Sequence, residues 1–419
     1  MERQYPAQPS SKKLPALCPP QCRDQIDLLL TDVPAVTLVY NAPLFLLSGE
    51  QSVSCDYIAL ANSGVQGLKP YQAGKPIEEL QRELGLEHIV KLASNENPLG
   101  PSKKALAAIE KALKDIVRYP DSNGFLLKAA LAEKLSVESA QITLGNGSND
   151  VLELIARAYL EPSKSAVFSQ HAFLVYPIAV QACGARAIVT KARAWGHDLN
   201  AMVDAIADDT RLVFIANPNN PTGTYLKEDQ LVDFLDKVPA NVVVVLDEAY
   251  IEYVAEGEDA VDGVALLKHY PNLIVTRTFS KAYGLAALRI GYAIASGEIT
   301  DVLNRVRAPF NVNSLAMAAA TEVLSDSAYL EQSRKVNSAG MSQLQQGFNS
   351  LGLNYIPSAG NFIAVEFKQD TATLYQQLLA QGVIVRPVAV YEMPNHLRVS
   401  IGLEQENAAL IDALKKILK

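Results

Sequence analysis

From about residue 70 onward the chain alternates between two hydrophobic spacings. Short runs of consecutive apolar residues read as strands: QITL (141–144), SAVFS (165–169), RLVFIA (211–216), NVVVVL (241–246) and NLIVT (272–276). Helical stretches lie between most of them, at 148–160, 173–182, 227–237 and 260–269. Ser102 precedes KKALAAIEKALKDI, whose apolar residues at 105, 106, 109, 113 and 116 predict an N-capped helix. Strands that are apolar on consecutive positions are buried on both faces. Alternation with helices therefore predicts a parallel sheet covered on both sides. After a long helical region at about 313–348 the pattern changes. Strands near 361–367, 383–386 and 396–401 flank helices at 371–381 and 404–418, which predicts a smaller α+β unit.

The expected architecture is α/β: a large, doubly wound, mostly parallel-sheet domain and a smaller α+β C-terminal domain. The expected division is an extension at 1–52, an N-terminal arm with a segment joining the small domain at 53–118, the large domain at 119–308 and the small domain at 309–419. Residues 1–24 are rich in Pro, Gln and Ser, and the apolar stretch 33–47 is broken by Pro34 and Pro43. That stretch starts far from Met1, is preceded by Asp27 and Asp32, and lacks a small-residue cleavage site, all against a signal peptide. Gly49-Glu50 can be encoded by a purine-rich ribosome-binding sequence, with Val53 following as a GTG start. On that expectation residues 1–52 are an untranslated leader; the alternative is a disordered extension.

Composition narrows the function. Lys and Arg number 37 against 45 Asp and Glu, a formal net charge of −8, which disfavours nucleic acid as the main partner. No apolar run is long enough to read as a membrane span. Four cysteines (Cys18, Cys22, Cys55, Cys183) are too few for a disulfide framework, and the Cys18/Cys22 pair has no second pair nearby for a metal. A reducing, cytoplasmic setting and no metal are expected.

In doubly wound sheets ligands sit at the carboxyl ends of strands, so the chemistry is read from the residues that follow each strand. After QITL comes GNGSND (145–150), two glycines and a serine at a strand-to-helix turn, a pattern suited either to cradling a phosphate or to a plain N-cap. After RLVFIA comes NPNNPTG (217–223), with amide donors on a proline-stiffened loop. After NVVVVL comes DEAY (247–250), whose Asp247 leaves a buried strand and calls for a cationic partner or a capping role. After NLIVT comes RTFSKAYG (277–284), with Arg289 beyond it; Lys281 there is a candidate Schiff-base nucleophile. An anion cradle, a buried carboxylate, amide donors and an amine together match the needs of pyridoxal phosphate.

These residues resemble the fold-type I pyridoxal-phosphate aminotransferases, and within them the histidinol-phosphate aminotransferases. The resemblance is carried by KLASNENPLGPSKKA, RYPD, GNGSND, HAFLVY, NPNNPTG, DEAY, RTFSKAYGLAALRIGYAIA, RAPFNVNSLAMAAA, GVIVRP and LRVSIG, in family order from about Leu68 to the C-terminus. It implies an aminotransferase that exchanges an amino group between L-histidinol phosphate and 2-oxoglutarate, a step of histidine biosynthesis. The related alternatives are an aromatic amino-acid aminotransferase and a threonine-phosphate decarboxylase. It implies that Lys281 holds the cofactor and shuttles the proton, that Asp247 pairs with the pyridine nitrogen, and that Asn220 and Tyr250 bond the phenolic oxygen. It implies that Phe173 stacks on the ring and that Gly147, Ser148, Asn149, Thr278, Ser280 and Arg289 hold the phosphate. Tyr119 is expected to reach the neighbouring subunit's site in a homodimer. Tyr71, Asn97, Arg386 and Arg398 are expected to hold substrate anions. Two departures are Ala287, where the family motif has glycine, and Asp150, where it often has glutamate.

Overall fold

The computed structural model describes residues 55–70, 74–254 and 261–419. The extension at 1–52, the start at Val53 and Tyr71 lie outside the described residues. The strands, in chain order, are β1 (Val90–Lys91), β2 (Ile142–Gly145), β3 (Ser165–Ser169), β4 (Arg186–Thr190), β5 (Thr210–Ala216), β6 (Val243–Asp247), β7 (Leu273–Thr278), β8 (Gly291–Ala295), β9 (Asn354–Ile356), β10 (Phe362–Glu366), β11 (Val383–Ile384), β12 (Arg386–Pro387) and β13 (His396–Ser400). The large sheet has the order β2-β8-β7-β6-β5-β3-β4. It is parallel from β7 to β4, whereas β8 runs antiparallel to both β7 and β2.

Side chains alternate between its faces as strand geometry requires. Val213 and Ile215 of β5 and Val244 and Leu246 of β6 enter one core, while Leu212, Phe214 and Val245 enter the other. On the second face lies the helix Ser148–Tyr159, whose buried Val151, Leu152, Ile155 and Ala156 recur at helical spacing. Truncating Ile155 to Ala would cost about 2–5 kcal/mol.

The five strands read as apolar runs are β2, β3, β5, β6 and β7. Two strands of this sheet were not among them. β4, RAIVT, is an edge strand with a largely exposed pattern; its apolar run, Ala187 to Val189, is as short as that of β3 and was not read as a strand. β8, GYAIA, is fully buried, with Gly291 and two alanines set around Tyr292 and Ile294. At Gly291 the missing side chain has a steric cause: a Cβ there would come within 2.4 Å of Ser148 N, blocking the helix start.

A third core belongs to the antiparallel sheet β12-β13-β10-β9, joined by Leu344, Phe348 and Leu410 from flanking helices. β1 pairs in parallel with β11, and Leu92 enters this same core, so the early chain is tied to the C-terminal part. The sequence placed the handover between parts near residue 308. In the structure Val312, Ala316, Ala319, Val323 and Tyr329 all pack into the large-sheet core. The crossing lies within the helix Ser327–Ser350, which has Tyr329 in one core and Leu344 in the other. The polarity pattern of a helix does not say which sheet it covers. No helix among the described residues is long and apolar enough to cross a membrane. No cluster of three or more potential metal ligands occurs among them.

Candidate active site

The loops after β2, β5, β6 and β7 converge on a cavity of about 220 Å³, closed from the other side by Arg386, Tyr391 and Arg398. One end is built for an anion. Gly147 (φ +89°) turns the chain into the helix Ser148–Tyr159, whose first residues Ser148 and Asn149 line the cavity with Thr278, Ser280 and Arg289. Arg289 itself has φ +54°, and its Nη1 donates to Ser280 Oγ at 3.2 Å and Ala286 O at 3.0 Å. A Cβ on Gly147 would lie 2.4 Å from Arg289 Nη2, so glycine serves both the turn and the arginine's approach. Asp150 Oδ2 closes the turn by accepting from Asn146 N at 2.8 Å and Asn311 Nδ2 at 3.1 Å. Ala287 is exposed and outside the positive-φ residues, so nothing there requires the glycine of the family motif.

The opposite requirement, a place for a cation, is met by Asp247 at the end of β6. It is buried and accepts from Tyr176 Oη at 2.8 Å and Thr276 Oγ1 at 3.0 Å. Burial raises its pKa; these hydroxyls and the Ala249 N–H oppose the rise, and no cation contributes. The neighbouring Glu248, by contrast, is paired with Arg277 at 2.7 Å and belongs to the scaffold. A buried carboxylate aimed at a cavity without a cationic partner fits a ligand that brings the positive charge itself.

Between the two ends stands Lys281. Its Nζ donates to Ser94 O at 3.0 Å. Burial, with help from Arg398, Arg289 and Lys91 and against Glu96, lowers its pKa to about 7. A lowered pKa increases the share of neutral amine, the form able to attack a carbonyl carbon. Tyr250 Oη accepts from Asn220 Nδ2 at 3.2 Å and from Asn95 Nδ2 at 3.0 Å. Arg398 donates from Nη1 to Asn220 Oδ1 at 2.6 Å and from Nη2 to Ala93 O at 2.8 Å; its buried Nε has no partner. Phe173 lines the wall, edge-on to Tyr176.

Not every expected residue arrives. Asn97 is buried outside the cavity lining, with its Nδ2 held by Ala282 O, Tyr329 Oη and Ser333 Oγ, and it fastens the Lys281 loop from behind. The asparagine that enters is Asn95, at φ +54°. That left-handed turn breaks the extended alternation that would have put both asparagines on one face. Tyr119 is 82% exposed and stacks on Phe310 away from the cavity. Of the asparagines in the NPNN run, Asn217 and Asn219 serve the backbone of the loop, holding Leu226 and His171 with Thr222, and only Asn220 lines the cavity. Tyr391 also lines it, without a sequence signal that would have singled it out.

The family described as aminotransferase class I and II matches residues 87–414. The chain belongs to that family. The aminotransferase is 62% identical over 368 residues, 87% of this chain and 99% of the other, to histidinol-phosphate aminotransferase 2 of Pseudomonas fluorescens. It is 62% identical over 365 residues to the protein of that name from Pseudomonas aeruginosa, covering 87% of this chain and 99% of that one. Among solved structures it superimposes, at a TM-score of 0.79 and 30% identity, on histidinol-phosphate aminotransferase from Sinorhizobium meliloti in complex with pyridoxal-5'-phosphate. That match covers 85% of this chain and 96% of that one. Within the aminotransferases the chain therefore falls in the histidinol-phosphate aminotransferase family. The α/β architecture expected from the strand and helix pattern, and the fold type I that the resemblance implied, are those observed.

Proposed function

We propose that this aminotransferase interconverts L-histidinol phosphate plus 2-oxoglutarate and imidazole acetol phosphate plus L-glutamate, with pyridoxal phosphate as cofactor, as a cytoplasmic homodimer in histidine biosynthesis. The observation that carries the substrate reading is a pair of arginines, Arg386 and Arg398, lining the same cavity as Lys281 and Asp247. Glutamate presents an α-carboxylate and histidinol phosphate a phosphate dianion, so a site serving both needs two anion anchors.

The residues present suit the cofactor. Ser148, Asn149, Thr278, Ser280 and Arg289, with Gly147 at the turn, would hold its phosphate. Phe173 offers a flat apolar face to its ring, and Asn220 and Tyr250 offer hydrogen-bonding groups to its phenolic oxygen. Bound there, pyridoxal phosphate supplies an aldehyde and a ring that accepts an electron pair when protonated at nitrogen. Asp247 would keep that nitrogen protonated, because two buried opposite charges in contact stabilise each other. Lys281 would hold the aldehyde through its Nζ and, as a neutral amine facing the substrate Cα, would carry the Cα proton to the carbon that bore the aldehyde. Arg398 and Arg386 hold the substrate's anionic groups while this occurs.

For the dimer, the support is an exposed apolar patch: Leu113, Ile116, Val117, Tyr119, Phe125 and Leu126 are all exposed, with Phe310 stacked on Tyr119. A second copy covering this patch would bring Tyr119 toward the neighbouring cavity.

The test is a half-reaction. The cofactor-loaded protein is mixed with histidinol phosphate alone, and separately with phenylalanine alone, and its visible absorption band is followed. Rapid conversion with histidinol phosphate and slow conversion with phenylalanine is the expected result. Preference for phenylalanine would move the protein to the aromatic aminotransferases, and absence of any band on loading would overturn the cofactor reading.

A further inference from the structure

We propose that Asn95 is a positioning residue that keeps the Tyr250 hydroxyl a hydrogen-bond donor into the cavity; this rests on the reading of Tyr250 as a partner of the cofactor's phenolic oxygen. A phenolic oxygen has two lone pairs and one proton. Both lone pairs of Tyr250 Oη are taken, by Asn95 Nδ2 at 3.0 Å and Asn220 Nδ2 at 3.2 Å. The proton therefore points away from both amides, and Tyr250 borders the cavity.

This polarity depends on which way each amide faces, and each is turned by a residue of β13. Ser400 Oγ accepts the Asn95 N–H at 2.7 Å, which leaves its own proton for Asn95 Oδ1 at 3.0 Å. With Oδ1 held by Ser400, the NH₂ group is the one that faces Tyr250. A flipped amide would place two donors against Ser400 and an acceptor against Tyr250, which would then turn its proton away from the cavity. The Asn95 backbone is held as well, its carbonyl accepting from Asn361 Nδ2 at 3.0 Å. Asn95 is 1% exposed, and its left-handed φ is one that asparagine tolerates better than most residues. On the other side, Arg398 Nη1 holds Asn220 Oδ1 at 2.6 Å.

The two arms differ in one respect. Arg398 lines the cavity and is the residue assigned to a substrate anion, so substrate competes for the guanidinium that orients Asn220. Ser400 does not line the cavity, so the Ser400–Asn95 arm stays in place when substrate arrives. Asn95 thus holds Tyr250 as a donor throughout the cycle, in free and liganded protein alike.

The experiment is a pH titration of the visible absorption of the cofactor-loaded protein without substrate. A donor to the phenolic oxygen favours its anionic form, so loss of the donor moves the midpoint up. Tyr250→Phe should raise it by about one unit, the scale of one hydrogen bond to a charged group. Asn95→Gly suits the positive φ and changes no charge. It should raise the midpoint by about half a unit, since it weakens the donor without deleting it. Ser400→Ala, which frees the amide to flip, should act in the same direction and serves if Asn95→Gly does not fold. The double variant Asn95→Gly/Tyr250→Phe should titrate like Tyr250→Phe alone. Equal shifts from Asn95→Gly with and without the Tyr250 hydroxyl would show that it acts through general packing and overturn the proposal. No shift in Asn95→Gly or Ser400→Ala, with a shift in Tyr250→Phe, would overturn the proposal while leaving the reading of Tyr250 intact. No shift in Tyr250→Phe would overturn both.

Discussion

Arg386 and Arg398 stand directly opposite each other across the β12–β13 ladder, and both line the cavity. Like charges in directly facing positions destabilise a sheet. A pair of this kind is relieved by an anion between or beside the two guanidinium groups. Arg398 is held by Asn220 and Ala93, and Arg386, the first residue of a two-residue strand, is the less buried of the two. Arg386→Ala should therefore raise the KM for histidinol phosphate by about tenfold or more and that for glutamate much less, as expected for one charge-assisted contact. Measuring both half-reactions decides it, and equal losses on the two substrates would reject this division of labour.

The amine of Lys281 has its pKa lowered to about 7, chiefly by burial. Its neutral form is the nucleophile, so the rate at which apoprotein captures pyridoxal phosphate should rise with pH and level off above about 7. A lysine of ordinary pKa would keep climbing toward 10.5. Stopped-flow capture rates between pH 5.5 and 9 provide the check. Lys281→Ala should lose several powers of ten in turnover at every pH.

Glu252 is buried, its Oε2 has no partner, and burial pushes its pKa to about 7 against the pull of Arg277 and Arg334. The folded form binds this proton more tightly than the unfolded chain does. The carboxyl therefore carries no penalty below its unfolded value of 4.5. It becomes destabilising as pH rises between 4.5 and about 7, and remains so above that. Glu252→Gln should raise stability by roughly 1–3 kcal/mol at pH 8 and by little at pH 4.5, read as the difference in denaturation midpoint.

Tyr119 is exposed beside an apolar patch and far from satisfying any contact in its own cavity. Tyr119→Ala and Lys281→Ala proteins should each be weak or inactive as homodimers. Mixed and reassociated, they should regain activity, because one site of each hybrid combines an intact lysine with an intact partner tyrosine. Activity that does not recover on mixing, in a sample shown to contain hybrids, would count against a shared site.

The legibility of this protein in its sequence follows its polarity. β2, β3, β5, β6 and β7 are marked by apolar runs because both of their faces are buried. The residues that follow β2, β5, β6 and β7 were readable as chemistry because the strand ends of such a sheet are where ligands sit, although Glu248, Asn217 and Asn219 there serve the scaffold instead. Asp247, Lys281, Ser148 and Asn220 all fall in that class, and the structure brings all four to one cavity. What was not legible depends on backbone turns or on distant chain. Asn95 rather than Asn97 enters because of one left-handed residue. Tyr391 enters because a short 3₁₀ turn, Ala389–Tyr391, folds back from the small sheet. The strand β8 opens on Gly291, whose lack of a side chain lets the helix at Ser148 approach it and weakens its strand signature.

The antiparallel course of β8 also sets a length. The chain leaves β7 at Thr278 and re-enters the sheet at Gly291, with Phe279 N bonded to Ile290 O at 3.1 Å and Leu285 N to Phe279 O at 3.0 Å. Lys281 and Arg289 thus stand on a single closed excursion, and its residue count is the gauge that spaces amine from guanidinium. Insertions and deletions elsewhere on the surface can be absorbed by open loops. One between Phe279 and Ile290 would shift Lys281 and Arg289 relative to each other, so this excursion has little freedom to drift in length.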